Sequence, residues 1–245
     1  MTALREDGRV VASAVREYPT YYPQNGWVEQ RPEELYAAFV DALHEVLSKG
    51  VKPDSISAMA ISAASQTAVY LDGADVPVRP SIYWTDSRGA GYAEQLKAED
   101  AERIYDICCN MPTSARTVTH LRWIRDHEPE NFARIKKVMF VKDYIRYRLT
   151  GDFVTDNIDA MGSLLYNVRD GVWDKKLCVW AGVTEDMLPV VLKPTDRVGK
   201  LSAKACAETG LDSNTTDCGI RVREPRAARL PTAGTGTRSA AGRSS

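Results

Sequence analysis

The chain opens on two short runs, residues 2–7 and Arg9 to Val15, with Asp7-Gly8 between them. Strand, turn dipeptide, strand predicts a β-hairpin. The first run is short, as though the chain began partway through a strand. After Gly26–Pro32 the period lengthens, and Leu35, Phe39, Leu43, Val46 and Leu47 form one helical stripe. Pro32 suits the first turn of that helix, Glu33 and Glu34 favour the positive end of its dipole, and Lys49-Gly50 is a fitting stop. Ile56–Ser62 is an apolar stretch of small residues. Thr67–Leu71, the turn Asp72-Gly73 and Val76–Trp84 then read as strand, turn, strand. Helices are predicted at 87–97, 99–107, 116–127 and 130–136. Val138–Val141 is a short buried strand, and Lys142-Asp143-Tyr144 opens a helix ending near Thr150-Gly151. Leu177–Ala181 and Ala203–Thr209 are the last helical patterns, with Gly210 as a C-cap. No internal repeat is visible. This order predicts an α/β fold with a mixed central sheet flanked by helices.

Near residue 212 the pattern stops. Cys218–Ser245 holds Arg, Ala, Gly, Pro, Ser and Thr almost exclusively, with no aromatic residue and no Lys. Such a segment buries too little apolar surface to offset its ordering entropy, so residues 212–245 are expected to be disordered. Without aromatics its arginines make a poor nucleic-acid platform.

Composition changes little in this picture. The 245 residues carry a formal net charge of −1, which announces neither nucleic acid nor an acidic membrane surface. No apolar run approaches the roughly 20 residues of a spanning helix, and the N-terminus lacks a signal-peptide core. A cytoplasmic location is the default. The five cysteines are odd in number and lack CxxC spacing, against a disulfide framework or zinc site. The three histidines, His44, His120 and His127, are far apart, and no metal site is expected.

Candidate chemistry sits at the ends of the predicted strands, where open α/β sheets bind ligands. Ser65, Gln66 and Thr67 lie where the Ile56 strand breaks. If residues 81–88, SIYWTDSR, are extended, then Ile82, Trp84, Asp86 and Arg88 share one face. An aromatic plate beside amides, acids and bases suits a polyol, whose C–H face packs on a ring while its hydroxyls pair with polar groups. A plainer alternative stands beside it. Asp86 caps a helix starting at Ser87, Arg88 pairs at the surface with an acid such as Glu94, and Trp84 belongs to the core.

The chain resembles the N-terminal domain of the FGGY family of carbohydrate kinases, and is most similar to its xylulokinase branch. The resemblance runs through most of residues 2–211. It rests on Asp7-Gly8-Arg9-Val10-Val11, Trp27-Val28-Glu29-Gln30 before Pro32, Ile61 through Asp72, and Arg79 through Trp84 with Asp86 and Arg88. Lys142-Asp143-Tyr144 through Gly151, Asp156 with Asp159-Ala160-Met161-Gly162, Trp173 and Leu188-Pro189 continue it. It implies an actin-like, ribonuclease H-like ATPase fold in two halves with a cleft between them. It implies transfer of the γ-phosphoryl group of Mg-ATP to a sugar hydroxyl, with most sugar contacts in the N-terminal half. Ser65, Gln66, Thr67, Trp84, Asp86 and Arg88 are then the expected substrate-binding residues, and a ketopentose the first expected substrate. A related polyol or sugar acid is the alternative.

Three departures from the family pattern stand out. Its Asp-x-Gly-Thr-type phosphate loop has no counterpart before the hairpin. Its catalytic Asp would follow Gly-Leu in a Gly-rich turn, yet Gly210-Leu211 is followed only by Asp212 and Asp217. The nucleotide half is missing. A frame-shifted or truncated fragment, interrupted near Asn214, accounts for the last two. No catalytic residue and no metal ligand is therefore assigned. The chain by itself is expected to be inactive, and a cleft wall left bare is expected to promote self-association. A non-catalytic sugar-binding or regulatory module is the rival reading.

Overall fold

The computed structural model describes residues 1–212 and 217–219. A hairpin of β1 (Thr2–Leu4) and β2 (Val10–Ser13) opens the chain, and β3 (Glu29–Gln30) leads into α1 (Pro32–Ser48). Strands β4 (Ala58–Met59), β5 (Ala68–Leu71) and β6 (Ser81–Ile82) follow. Three helices come next: α2 (Ala90–Cys108), α3 (Thr117–His127) and α4 (Pro129–Arg134). Then come β7 (Lys137–Phe140), α5 (Val141–Thr150), β8 (Val154–Asp156), α6 (Asn157–Gly162), β9 (Tyr166–Asn167), β10 (Val172–Trp173) and α7 (Lys175–Ala181). The last elements are β11 (Val190–Leu192), β12 (Arg197–Lys200), α8 (Ala203–Thr209) and β13 (Asp217–Gly219).

The centre is β5, all four of whose residues are fully buried. It pairs antiparallel with β7 on one side. On the other, residues 76–78 fold back on it, with Val78 N donating to Tyr70 O at 2.9 Å. Side chains alternate across the strand. Ala68 and Tyr70 pack with Leu96, Ile104, Leu121, Ile124 and Leu177 of α2, α3 and α7. Val69 and Leu71 pack with Leu35, Leu43, Tyr144, Leu149 and Ala205 of α1, α5 and α8. A strand buried on both faces explains why Thr67–Leu71 reads as an unbroken apolar run. The pairings are mixed: β8–β11 and β4–β13 are parallel, while β1–β2, β3–β6, β5–β7, β9–β10 and β12–β13 are antiparallel. This is the helix-flanked α/β architecture expected.

Several boundaries differ from the sequence reading. The strand expected over Val76–Trp84 is broken into an isolated antiparallel bridge of Pro77 to Leu71 and a two-residue ladder at Ser81–Ile82, paired with Glu29 and Gln30. Ile82, Trp84, Asp86 and Arg88 therefore do not share a strand face. Tyr83 through Asp86 form a turn instead, closed by Asp86 N on Tyr83 O. The two helices predicted at 87–97 and 99–107 are one element, broken only at Asp100, whose backbone is non-helical. Gly210 has φ +73° and caps α8, as its position suggested. Asp217–Gly219, within the stretch expected to be disordered, is held as a strand between β4 and β12. The remainder of that stretch lies outside the described residues. No described helix is long and apolar enough to cross a membrane.

Candidate functional site

Ser65, Gln66 and Thr67 form the junction that feeds β5. Thr67 is fully buried, and its carbonyl accepts from Val141 N at 3.1 Å. Gln66 has φ +66°, a left-handed conformation that a non-glycine residue holds only when its surroundings enforce it. Two neighbours do so. The Thr117 hydroxyl donates to the Gln66 carbonyl at 3.5 Å, and the Gln66 side chain lies on Gly162, where a Cβ would approach its Cγ to 3.1 Å. Ser65 is exposed, and its hydroxyl donates to Asp159 Oδ1 in a very short bond.

Behind Ser65 is a buried charge cluster. Lys142 Nζ meets Asp159 Oδ2 at 2.7 Å, Asp143 Oδ1 at 2.8 Å and Asp156 Oδ2 at 3.0 Å. Arg146 Nη2 donates to Asp143 at 2.7 Å. The other oxygen of Asp156 caps α6, accepting from Ile158 N and Asp159 N. Burial disfavours the Lys142 ammonium, but the carboxylates around it outweigh that and raise its pKa. Burial pulls Asp156 upward, and Lys142 with the α6 amides overcomes it and lowers the pKa. For Asp143 burial wins, and its carboxyl is raised. This cluster was not among the expected site residues. Its sequence signal is Lys142-Asp143 opening one helix and Asp156-x-x-Asp159 capping the next.

The second group of expected residues divides. Trp84 is 48% exposed, with its ring 6.0 Å from that of Tyr83, so it is not core. Asp86 has no exposed surface. Its Oδ1 accepts from Arg88 N at 2.8 Å and Nε at 2.9 Å, and its Oδ2 from Val28 N at 2.6 Å and Arg88 Nη2 at 2.8 Å. Arg88 Nη1 reaches Glu29 at 2.8 Å, and Arg79 shares that carboxylate at 2.6 Å. The Arg88 guanidinium lies 4.0 Å from the Trp27 ring and 4.9 Å from Trp123. Asp86 does not cap α2, whose N-cap is Gly89, and Arg88 does not pair with Glu94. Both the strand-face picture and the cap-and-surface-pair picture give way to a closed internal network.

The two groups are joined through α3. Thr117 at its start touches Gln66, and Trp123 in its middle lies against Arg88. Between them His120 is fully buried, and burial pushes its pKa down to about 4. Arg116, just before α3, donates to Asn110 Oδ1 at 2.6 Å and to Gly162 O at 3.3 Å. A shallow cleft of about 620 Å³ runs along α2 between Asp100, Arg103, Cys109 and Arg169, and holds none of the expected site residues.

Residues 1–220 match the model of the FGGY family of carbohydrate kinases, N-terminal domain. The chain belongs to that family. Xylulose kinase of Bacillus subtilis is 29% identical over 209 residues, 85% of this chain and 42% of that protein. Glycerol kinase of Bradyrhizobium diazoefficiens is 33% identical over 205 residues, 80% of this chain and 41% of that protein. The crystal structure of xylulose kinase from Rhodospirillum rubrum superimposes with a TM-score of 0.84 at 28% identity, over 88% of this chain and 44% of that one. The FGGY chain thus spans less than half the length of the relatives it matches.

Proposed function

We propose that this chain is the acceptor-binding half of an FGGY carbohydrate kinase, which transfers the γ-phosphoryl group of ATP to a sugar hydroxyl. D-xylulose, giving D-xylulose 5-phosphate, is the first substrate of this reading. Xylulose and glycerol kinases match at similar identity, so the neutral polyol is the common denominator. The observation that carries the reading is the junction at Ser65-Gln66. It is an accessible hydroxyl and amide, held rigidly by α3, α6 and a buried charge cluster at the mouth of β5. Ser65, Gln66 and Trp84 meet the sugar. Thr67, Asp86 and Arg88 have no surface to offer and support those three from behind.

Nucleotide and magnesium do not fit the described residues. The hairpin turn uses its donors internally: Gly8 N bonds Arg5 O, while Arg9 N and Nε bond the Asp7 carboxylate. The carboxylates nearest Ser65 are buried and bound to Lys142, so none of them presents an oxygen to a ligand hydroxyl or to a cation.

Calorimetric titration of the chain with D-xylulose, glycerol and D-gluconate tests the reading. Saturable binding of a sugar, weakened by Gln66→Ala, is the expected result; no binding of any of the three overturns it. A coupled ADP-release assay with D-xylulose and Mg-ATP is expected to show no turnover by this chain alone.

A further inference from the structure

We infer that Ser65 selects its ligand as a hydrogen-bond acceptor only, so that at this position the site takes a neutral sugar hydroxyl and turns away a carboxylate or carbonyl oxygen. The inference rests on the sugar-binding reading above and names the chemistry of one contact within it. A serine hydroxyl has one hydrogen and two lone pairs. Here the hydrogen is committed inward to Asp159 Oδ1, leaving only lone pairs for the exposed side. A ligand atom meeting them must bring its own hydrogen, which a polyol hydroxyl does and a carboxylate does not.

The orientation of that hydrogen is enforced. Asp159 is nearly fully buried, with its other oxygen on Lys142 and its backbone N–H on Asp156. Turning the Ser65 hydroxyl outward strips a buried carboxylate oxygen of its partner, and a bond to an ionised acceptor is stronger than an ordinary one. The electrostatics point the same way. Among the described residues, Lys142 and Arg146 are the cations paired with Asp143, Asp156 and Asp159, so the cluster behind Ser65 carries one formal negative charge in excess when all three are ionised. Arg116 lies nearby on the Gly162 side, but its guanidinium already donates to Asn110 and to Gly162 O.

Asp159→Asn reverses the device. Lys142 offers only donors, so it takes the amide oxygen and leaves the amide NH₂ facing Ser65. The serine oxygen then accepts from within and its hydrogen turns outward. The excess charge disappears in the same substitution. The experiment is titration of wild type, Asp159→Asn and Ser65→Ala with D-xylulose and with D-gluconate, each variant first checked for native near-ultraviolet circular dichroism. Wild type is expected to prefer D-xylulose, and Ser65→Ala to lose roughly fivefold to tenfold in D-xylulose affinity, one hydrogen bond's worth. Asp159→Asn is expected to shift the xylulose-to-gluconate ratio by about tenfold toward gluconate. Because Ser65 is exposed, its alanine variant serves if Asp159→Asn does not fold. If wild type binds D-xylulose but Ser65→Ala binds it equally well, or a folded Asp159→Asn keeps the wild-type ratio, the inference fails and the sugar-site reading stands. If wild type binds neither sugar, the inference fails, and the sugar-site reading fails with it when glycerol does not bind either.

Discussion

The Ser65–Thr67 junction and the Trp84–Arg88 turn look alike in the sequence, each a polar cluster where an apolar run ends. In space they use charge in opposite ways. At the junction, polar groups face solvent and the charges sit behind them, with Lys142 holding Asp159 and Asp159 holding Ser65. At the turn, the charges close on themselves between two indole rings, while Trp84, Thr85 and Ser87 emerge around them. A charge in an apolar wall is stable either as a bracket for an exposed neighbour or as a sealed pair. Sequence spacing alone does not distinguish the two, because both require the same residues.

The sharpest way to break this comparison is to open the sealed pair. Asp86→Ala removes one member of a buried ion pair and leaves Val28 N and Arg88 without their acceptor. The expected loss is about 3–5 kcal/mol, or roughly 10 °C in melting temperature by calorimetry. If Asp86→Ala melts like wild type, Asp86 is not sealed, and its role as a sugar contact returns.

Next in size is the pH dependence of the helix that joins the two regions. His120 is buried beside Asp86, Arg88 and Arg79, and burial lowers its pKa to about 4 from an ordinary 6.5. Its folded value lies below its unfolded one, so the unfolded chain takes the proton first. Stability is full above about pH 6.5, falls as the pH drops, and levels off below about pH 4. The difference corresponds to about 3 kcal/mol. His120→Phe should flatten the melting-temperature profile between pH 6.5 and 4.5. An unchanged slope in that variant would place the titration elsewhere.

The layers were largely legible. The unbroken run Thr67–Leu71 announced a strand covered on both faces, and Leu35, Phe39 and Leu43 announced the helix that covers one of them. The polar turn was not legible. Extending the alternation of Ser81–Ile82 through Arg88 assumed a ladder partner, yet β3 pairs with only those two residues. Past that point local hydrogen bonds and the Trp27–Arg88 contact set each direction. The bracket behind Ser65 was missed for a related reason. Lys142, Asp156 and Asp159 lie about eighty to ninety-five residues beyond Ser65, and only the packing of α5 and α6 against the junction brings them together.

A smaller effect should separate shape from charge at the junction. Gly162→Ala adds a Cβ 3.1 Å from Gln66 Cγ, tight enough to displace a flexible side chain but not backbone. Better helix propensity and mild crowding offset one another, so stability should change by less than about 1 kcal/mol. Sugar affinity should nonetheless fall severalfold by calorimetry, since the amide is moved. Equal affinity would show that the Gln66 side chain is not used.

The smallest structural effect belongs to the aromatic residue that emerges from the sealed turn. Trp84 is half exposed and among the described residues makes one aromatic contact, with Tyr83, so Trp84→Ala should change stability by no more than about 0.5 kcal/mol. Its expected effect on binding is larger than its effect on folding, because a sugar C–H face packed on the indole recovers apolar area the free protein leaves in water. Trp84→Phe should keep part of that affinity and Trp84→Ala little of it, while all three proteins melt together. Trp84 then acts with the junction, and the sealed pair beneath it serves as an anchor for one exposed ring. If Trp84→Ala binds D-xylulose like wild type while Gln66→Ala does not, the sugar occupies the junction alone.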